Sequence, residues 1–252
     1  MSRSRLFRAV VCVGLCLAAV GTSHAALLDE GNGQLYDNVT DLVWQQNANL
    51  AATNTFGLSG IDTNGRMTWG TAQNWIAAMN ANDYLGHSDW MLPSVSPVNG
   101  KSFNYNYSID GTTDRVYNIT SSASPLSYMY YVNLGLKAPM SPLDDSPQPD
   151  FGVFRNGTWG GQADIGIVKN LQSNGYWTST AYDPVPGYVW YFDTQFGAQG
   201  GGTQYYYGLN AWAVRPADAG DIAAAIPEPE TYLMLLAGLG LLGFVARSRK
   251  YS

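Results

Sequence analysis

The sequence predicts an α+β domain with a small twisted antiparallel sheet, few helices and long loops. Short runs rich in Trp, Tyr and Val recur through the last third, separated by turn residues. One segment near the first third carries clean helical spacing, and the stretch between is broken by Gly, Pro, Ser, Asn and Asp. Strand-rich and helix-poor segments in that arrangement fold as a sheet with helices packed on it.

Taken in order, residues 33–37 and 42–44 read as strand-like pieces around an Asp37-Asn38 turn. Ala72, Trp75, Ile76 and Met79 recur at i, i+3, i+4 and i+7, and Thr68 or Thr71 can cap them, which predicts a helix over 71–80. Pro93 should end whatever Trp90 begins. Residues 94–170 read as loops and one short helix over 125–134, with Ser124 as cap, Pro125 in the first turn, and Leu126, Met129 and Tyr130 sharing a face. Asp144-Asp145-Ser146-Pro147 reads as an exposed loop. Strands are expected at 176–180, 188–193, 204–207 and 211–215; alternation puts Tyr188, Trp190 and Phe192 on one face, and Trp212 with Val214 on one.

The ends of the chain describe an address. Arg3, Arg5 and Arg8 precede an apolar stretch over 9–20 and then Ser23-His24-Ala25, the pattern of a signal peptide over 1–25 that signal peptidase cuts between Ala25 and Ala26. At the other end stand Pro227-Glu228-Pro229, an apolar run over 232–246, then Arg247, Arg249 and Lys250. As a helix that run covers about 22 Å, a marginal membrane span, and the basic cluster holds its end on the cytoplasmic side. The expected organisation is a signal peptide, a domain over 26–220, a linker over 221–226 and a sorting or membrane segment over 227–252.

Removing the signal also removes chemistry. Cys12 and Cys16 are the only cysteines of the 252 residues, so the exported chain forms no disulfide and carries no thiolate, and with His24 gone His87 is its single histidine. A multi-histidine zinc site is excluded. The net charge is −6, and the basic residues between the ends are scattered singly, which argues against nucleic acid as a partner. Glu30 is the lone glutamate before Glu228, so paired-carboxylate glycoside hydrolysis would fall to aspartates such as Asp144 and Asp145. His87, Ser88 and Asp89 are sequence neighbours without a nucleophile-elbow motif. The expectation is a protein that is not an enzyme.

The tail, with its three parts in order, resembles the PEP-CTERM sorting signal of Gram-negative bacteria. That resemblance implies an exosortase-type processing enzyme, a transient inner-membrane anchor, and final residence at the cell surface or in an extracellular matrix or biofilm. The body resembles the Lcl C-terminal domain family through 37–44, Met67-Thr68-Trp69, 88–93, Asn170-Leu171-Gln172, 176–180 and 211–216. It departs from the family at Met91, where an arginine is usual, and in lacking cysteines. The family implies a C-type-lectin-like fold and, through an adhesin that carries the domain, glycan binding. The expected function is therefore a non-catalytic surface or matrix protein that binds carbohydrate or exopolysaccharide; the alternative is a structural matrix protein without a specific ligand. Ring stacking would use Tyr205, Tyr206 or Tyr207, of which a strand must turn at least one outward. No cofactor is expected, except that Gln148-Pro149-Asp150 matches a tripeptide that sugar-binding C-type lectins use for calcium, while Asp62-Thr63-Asn64-Gly65 lacks the bidentate acid of a full calcium loop and reads as a turn.

Overall fold

Thr68 accepts a hydrogen bond from the Thr71 backbone N–H, and the helix it caps, α1, spans Trp69–Ala81 in the computed structural model. Ala72, Trp75, Ile76 and Met79 are its buried face, as their spacing predicts. The structure describes residues 27–224 together with Leu235, Leu236 and Leu239. The signal segment, the cleavage site Ala25–Ala26, and Pro227, Glu228 and Pro229 lie outside the described residues, as does most of the apolar run over 232–246. No helix among the described residues is long and apolar enough to cross a membrane.

The strands in chain order are β1 (Leu27–Gly31), β2 (Gln34–Asp37), β3 (Leu42–Gln45), β4 (Arg66–Met67), β5 (Gln162–Ile165), β6 (Val168–Gln172), β7 (Gly175–Ala181), β8 (Tyr188–Asp193), β9 (Ala198–Thr203), β10 (Leu209–Asn210) and β11 (Val214–Pro216). They form a four-stranded sheet β1-β2-β3-β11, a five-stranded sheet β4-β10-β7-β8-β9 and the hairpin β5-β6. All pairings are antiparallel except β10 with β7, which is parallel at Asn210 and Tyr176. The class is α+β with small, mainly antiparallel sheets, as expected, although the strands divide among several sheets rather than one.

The β2–β3 turn forms as read: Asp37 Oδ1 accepts from the Val39 N–H at 3.0 Å, and Asp41 takes a positive φ of 52°. Alternation along the central strands separates two cores. Tyr176, Phe192, Trp212 and Val214 face one, which Leu126 of α2 (Pro125–Tyr128) closes together with Met129 and Tyr130 of the turn that follows it. Trp177, Val189, Ala211 and Ala213 face the other, packed on α1. Trp190 and Tyr182 make a smaller cluster with Phe103 and Tyr105. Tryptophan N–H groups tie segments distant in sequence: Trp177 donates to Met67 O at 3.0 Å, Trp75 to Asn54 O at 2.9 Å, and Trp212 to Gln45 O at 2.6 Å. Each ring thus buries a large apolar area while its polar edge is satisfied.

Several expectations need correction. The helix over 125–134 is α2 followed by a π-helical turn, Met129–Asn133, and Ser124 does not cap it; its hydroxyl donates to Gln199 Oε1 instead. The stretch 94–170 contains β5 and the start of β6. The strand predicted over 204–207 lies just before it, at β9, in a glycine run whose low strand preference hides it. Glycine is used there for space, because a Cβ at Gly201 would run into the Tyr182 ring. Residues 211–213 are irregular between β10 and β11, yet their side chains still alternate between the cores. Asp221, first residue of the expected linker, belongs to α3 (Ala219–Ala224) and pairs with buried Arg215.

Candidate functional site: an amide-lined groove

The segment after β3 docks on the β5–β6 hairpin through Ala48 N–H to Lys169 O at 2.8 Å and Lys169 N–H to Gln46 O at 2.9 Å. This brings Asn47 and Asn49 beside Gln162, Asn170 and Gln172. Their amides join in a chain: Asn170 Nδ2 donates to Asn47 Oδ1 at 3.0 Å, Gln162 Nε2 to Asn170 Oδ1 at 3.0 Å, and both Asn49 Nδ2 (3.2 Å) and Gln172 Nε2 (2.7 Å) to Gln162 Oε1. Inward, Asn210 Nδ2 donates to Asn49 Oδ1 at 3.1 Å, and Asn174 Nδ2 to Asn210 Oδ1 at 2.9 Å. The row climbs from buried Asn210 and Asn49 to exposed Gln162. Buried amides are costly unless paired, so mutual pairing holds the whole row in one geometry. Gly65, at φ 75°, is needed here, since a Cβ would strike the Asn49 side chain.

Three adjoining hollows of about 300, 250 and 390 Å³ follow this row. The first two share Asn64, Gly161 and Gln172, and the second and third share Trp159 and Asn174. They make one trough that starts on amides and ends on rings. Trp159 is 59% exposed and Tyr206 55% exposed, and both line the last hollow with Tyr188 and Tyr191. Trp159 rides a loop whose Gly157, Gly160 and Gly161 all have positive φ. Gly208 gives the Tyr206 ring room to lie close to the backbone.

Charge in the trough is already engaged. Arg66 Nε donates to Asp62 Oδ2 at 2.8 Å, and its guanidinium lies 5.9 Å from the Trp159 ring centroid. Burial alone would raise the Asp62 carboxyl, but hydrogen bonds from Arg66 and Asn64 hold it below the usual range. Burial pushes the Asp193 carboxyl up, against the backbone N–H groups of Gln195 and Phe196 that donate to it.

The structure distributes the sequence-predicted residues unevenly. Tyr205, Tyr206 and Tyr207 are all exposed, at 77%, 55% and 47%, in the turn after β9, but among them only Tyr206 lines the trough. Gln148 and Asp150 lie elsewhere: the Gln148 amide donates to Ala138 O and Met140 O at 3.1 Å, and Asp150 pairs with Lys137 at 2.6 Å. Asp62 forms the turn over 62–65, its Oδ1 accepting from Asn64 N–H at 2.8 Å. Among the described residues no group of three or more His, Cys, Asp or Glu could hold a metal ion. His87 packs edge-on to Trp90 at 6.3 Å.

Sequence reading missed the amides and Trp159. Asn170 and Gln172 stood in a recognised motif, but nothing local marks Asn47, Asn49 or Asn210 as their partners. Trp159 did leave a trace, since a tryptophan set among Gly157, Gly160 and Gly161 has little regular structure in which to be buried.

Residues 33–136 match the family model of the Lcl C-terminal domain, which stops short of β5. Residues 225–250 match the PEP-CTERM protein-sorting motif. No curated protein and no solved structure matches the chain. Of the motifs read along the body, those at 37–44, 67–69 and 88–93 fall inside the match to the Lcl C-terminal domain, those at 170–172, 176–180 and 211–216 fall outside it, and the tail matches as read. The signal implies export, a membrane-anchored intermediate in a Gram-negative bacterium, and processing by an exosortase-type enzyme.

Proposed function

We propose that the protein is a non-catalytic module that binds carbohydrate of the cell surface or extracellular matrix through the trough. The observation that carries this reading is a row of neutral amides leading into exposed aromatic rings. Amides offer both donors and acceptors to hydroxyl groups, and ring faces take the apolar faces of sugars. Export through a sorting signal supplies the setting in which such a ligand is encountered. The C-type-lectin-like likeness implied by the family belongs to the same proposal. No calcium is needed in this reading, because the amides and rings make the contacts.

Pull-down of the purified protein on exopolysaccharide and other matrix fractions, with and without EDTA, tests it. Retention unaffected by EDTA is the expected result, and retention on no fraction would sink the reading. The alternative, a structural matrix protein without a specific ligand, is favoured by the degree to which the amides satisfy one another, for the same row also fastens the β5–β6 hairpin to the body.

A further inference from the structure

We infer that the trough takes an internal stretch of an uncharged, linear polysaccharide, with one sugar held by Trp159 and Tyr206 and its neighbours laid along the amides. This deepens the carbohydrate-binding reading and rests on it.

Continuity of the trough argues for a chain rather than a single sugar. Each hollow alone is near or below the low end of small-molecule pockets, but shared lining residues join them end to end. An extended polymer fills such a shape; a compact ligand would leave most of it empty. Amides dominate one end of the trough and rings the other, so adjacent units of the chain meet different chemistry.

Charge argues for a neutral polymer. Of the residues lining the trough, Arg66 and Asp193 are the ionisable carboxyl or basic groups, and each is already held. The Arg66 charge is balanced by Asp62 and Asp193 adds a carboxyl at the far hollow, so the trough has no net positive charge to attract a uronate or sulfate.

Hydrogen-bond direction argues for a ligand rich in acceptors. Gln162 Oε1 already accepts from Asn49 and Gln172, and Asn47 Oδ1 from Asn170 and the Asn49 backbone. One hydrogen of Gln162 Nε2 goes to Asn170 and one of Asn170 Nδ2 to Asn47, so each has a second to offer, and Asn47 Nδ2 adds its own. The rim therefore presents a line of N–H donors, suited to hydroxyl, ring and acetal oxygens. At the other end Trp159 and Tyr206 share a hollow, and aromatic rings bind the apolar face of a pyranose without any charge.

Titration calorimetry on the purified full chain tests the inference with two panels, neutral linear oligosaccharides (glucans, mannans, galactans and chito-oligosaccharides) from one to six units, and oligouronates of the same lengths. Affinity should rise about tenfold or more from the single sugar to the tetramer within a neutral series. Trp159→Ala and Tyr206→Ala should each weaken the neutral tetramer about tenfold without changing the melting temperature, and Gln162→Ala should weaken it while near-ultraviolet dichroism stays native. Tighter binding of uronates, equal binding of one and four units, or indifference to the ring substitutions overturns the inference while carbohydrate binding stands. Binding in neither panel, together with no retention on any matrix fraction, overturns both.

Discussion

Replacing Asp221 by alanine would strip a fully buried guanidinium of its bidentate partner. Arg215 is 0% exposed, with Nη1 on Asp221 Oδ2 at 2.7 Å and Nη2 on Asp221 Oδ1. Breaking a buried ion pair from one side costs about 3–5 kcal/mol. Here Arg215 keeps Gln34 Oε1 at 3.0 Å and Pro216 O at 3.2 Å, and Glu30 stands ready as a substitute counter-ion, so the lower end applies, about 3 kcal/mol. At 2–4 °C per kcal/mol for a domain of this size, the melting temperature should fall by about 6–12 °C. Glu30 adds a pH signature. Its carboxyl is pushed up from 4.5 to about 7, by burial first and then by the charge of Asp221 and a hydrogen bond to it, with Arg215 opposing. The folded state therefore holds that proton more tightly, and the stability it contributes is complete below about pH 4.5 and lost as the pH rises through about 7. With Glu30 partly exposed and screened, the loss should be about 1–2 kcal/mol. Burial would raise Asp221, but its bonds to Arg215 hold it below the usual range, so it acts with the opposite sign and only in acid. Urea unfolding followed by tryptophan fluorescence at pH 5 and pH 8 reads both effects; Glu30→Gln should reduce the decline between them, leaving what buried Asp193 contributes with the same sign. An Asp221→Ala variant within about 0.5 kcal/mol of the parent, or a Glu30→Gln variant with the parental decline, would refute the account.

Other expectations follow from packing and capping. Gly201→Ala should displace the Tyr182 ring, which lies 4.7 Å from Trp190, and cost about 1–3 kcal/mol with a changed near-ultraviolet dichroism spectrum. Thr68→Ala removes the bond to Thr71 N–H and should cost α1 about 1 kcal/mol in a urea titration, with little effect on ligand retention. Substituting Pro227, Glu228 and Pro229 together by alanine should leave the tail on the exported protein, which intact-mass analysis detects; a processed mass would contradict the role given to that motif.

The address was legible because sorting signals are linear: charge, apolar length and a short motif are read along the chain, and the order of Pro227, the run over 232–246 and Arg247 needs no fold. Helix α1 and the β2–β3 hairpin were legible for a related reason, since a 3.6-residue period and an Asp37 turn are local properties. Even where 211–213 proved irregular, the alternation of Trp212 and Val214 against Ala211 and Ala213 held, because side chains must still choose between the two cores. Strand β9 was not legible, as its glycines are explained only by rings packed over them from Tyr182 and Tyr191.

What the sequence determined by itself is therefore the sorting signal at the end of the chain, with the export it implies, and the general α+β plan. The tertiary structure alone decided the trough. Asn210 and Asn49 are separated by 161 positions, Asn170 and Asn47 by 123, and Asn49 and Gln162 by 113, yet each pair shares a hydrogen bond. A lone amide in sequence reads as a polar loop residue. It becomes part of a continuous amide-lined trough only when the fold supplies its partners, because direction and saturation of hydrogen bonds are properties of the assembled row.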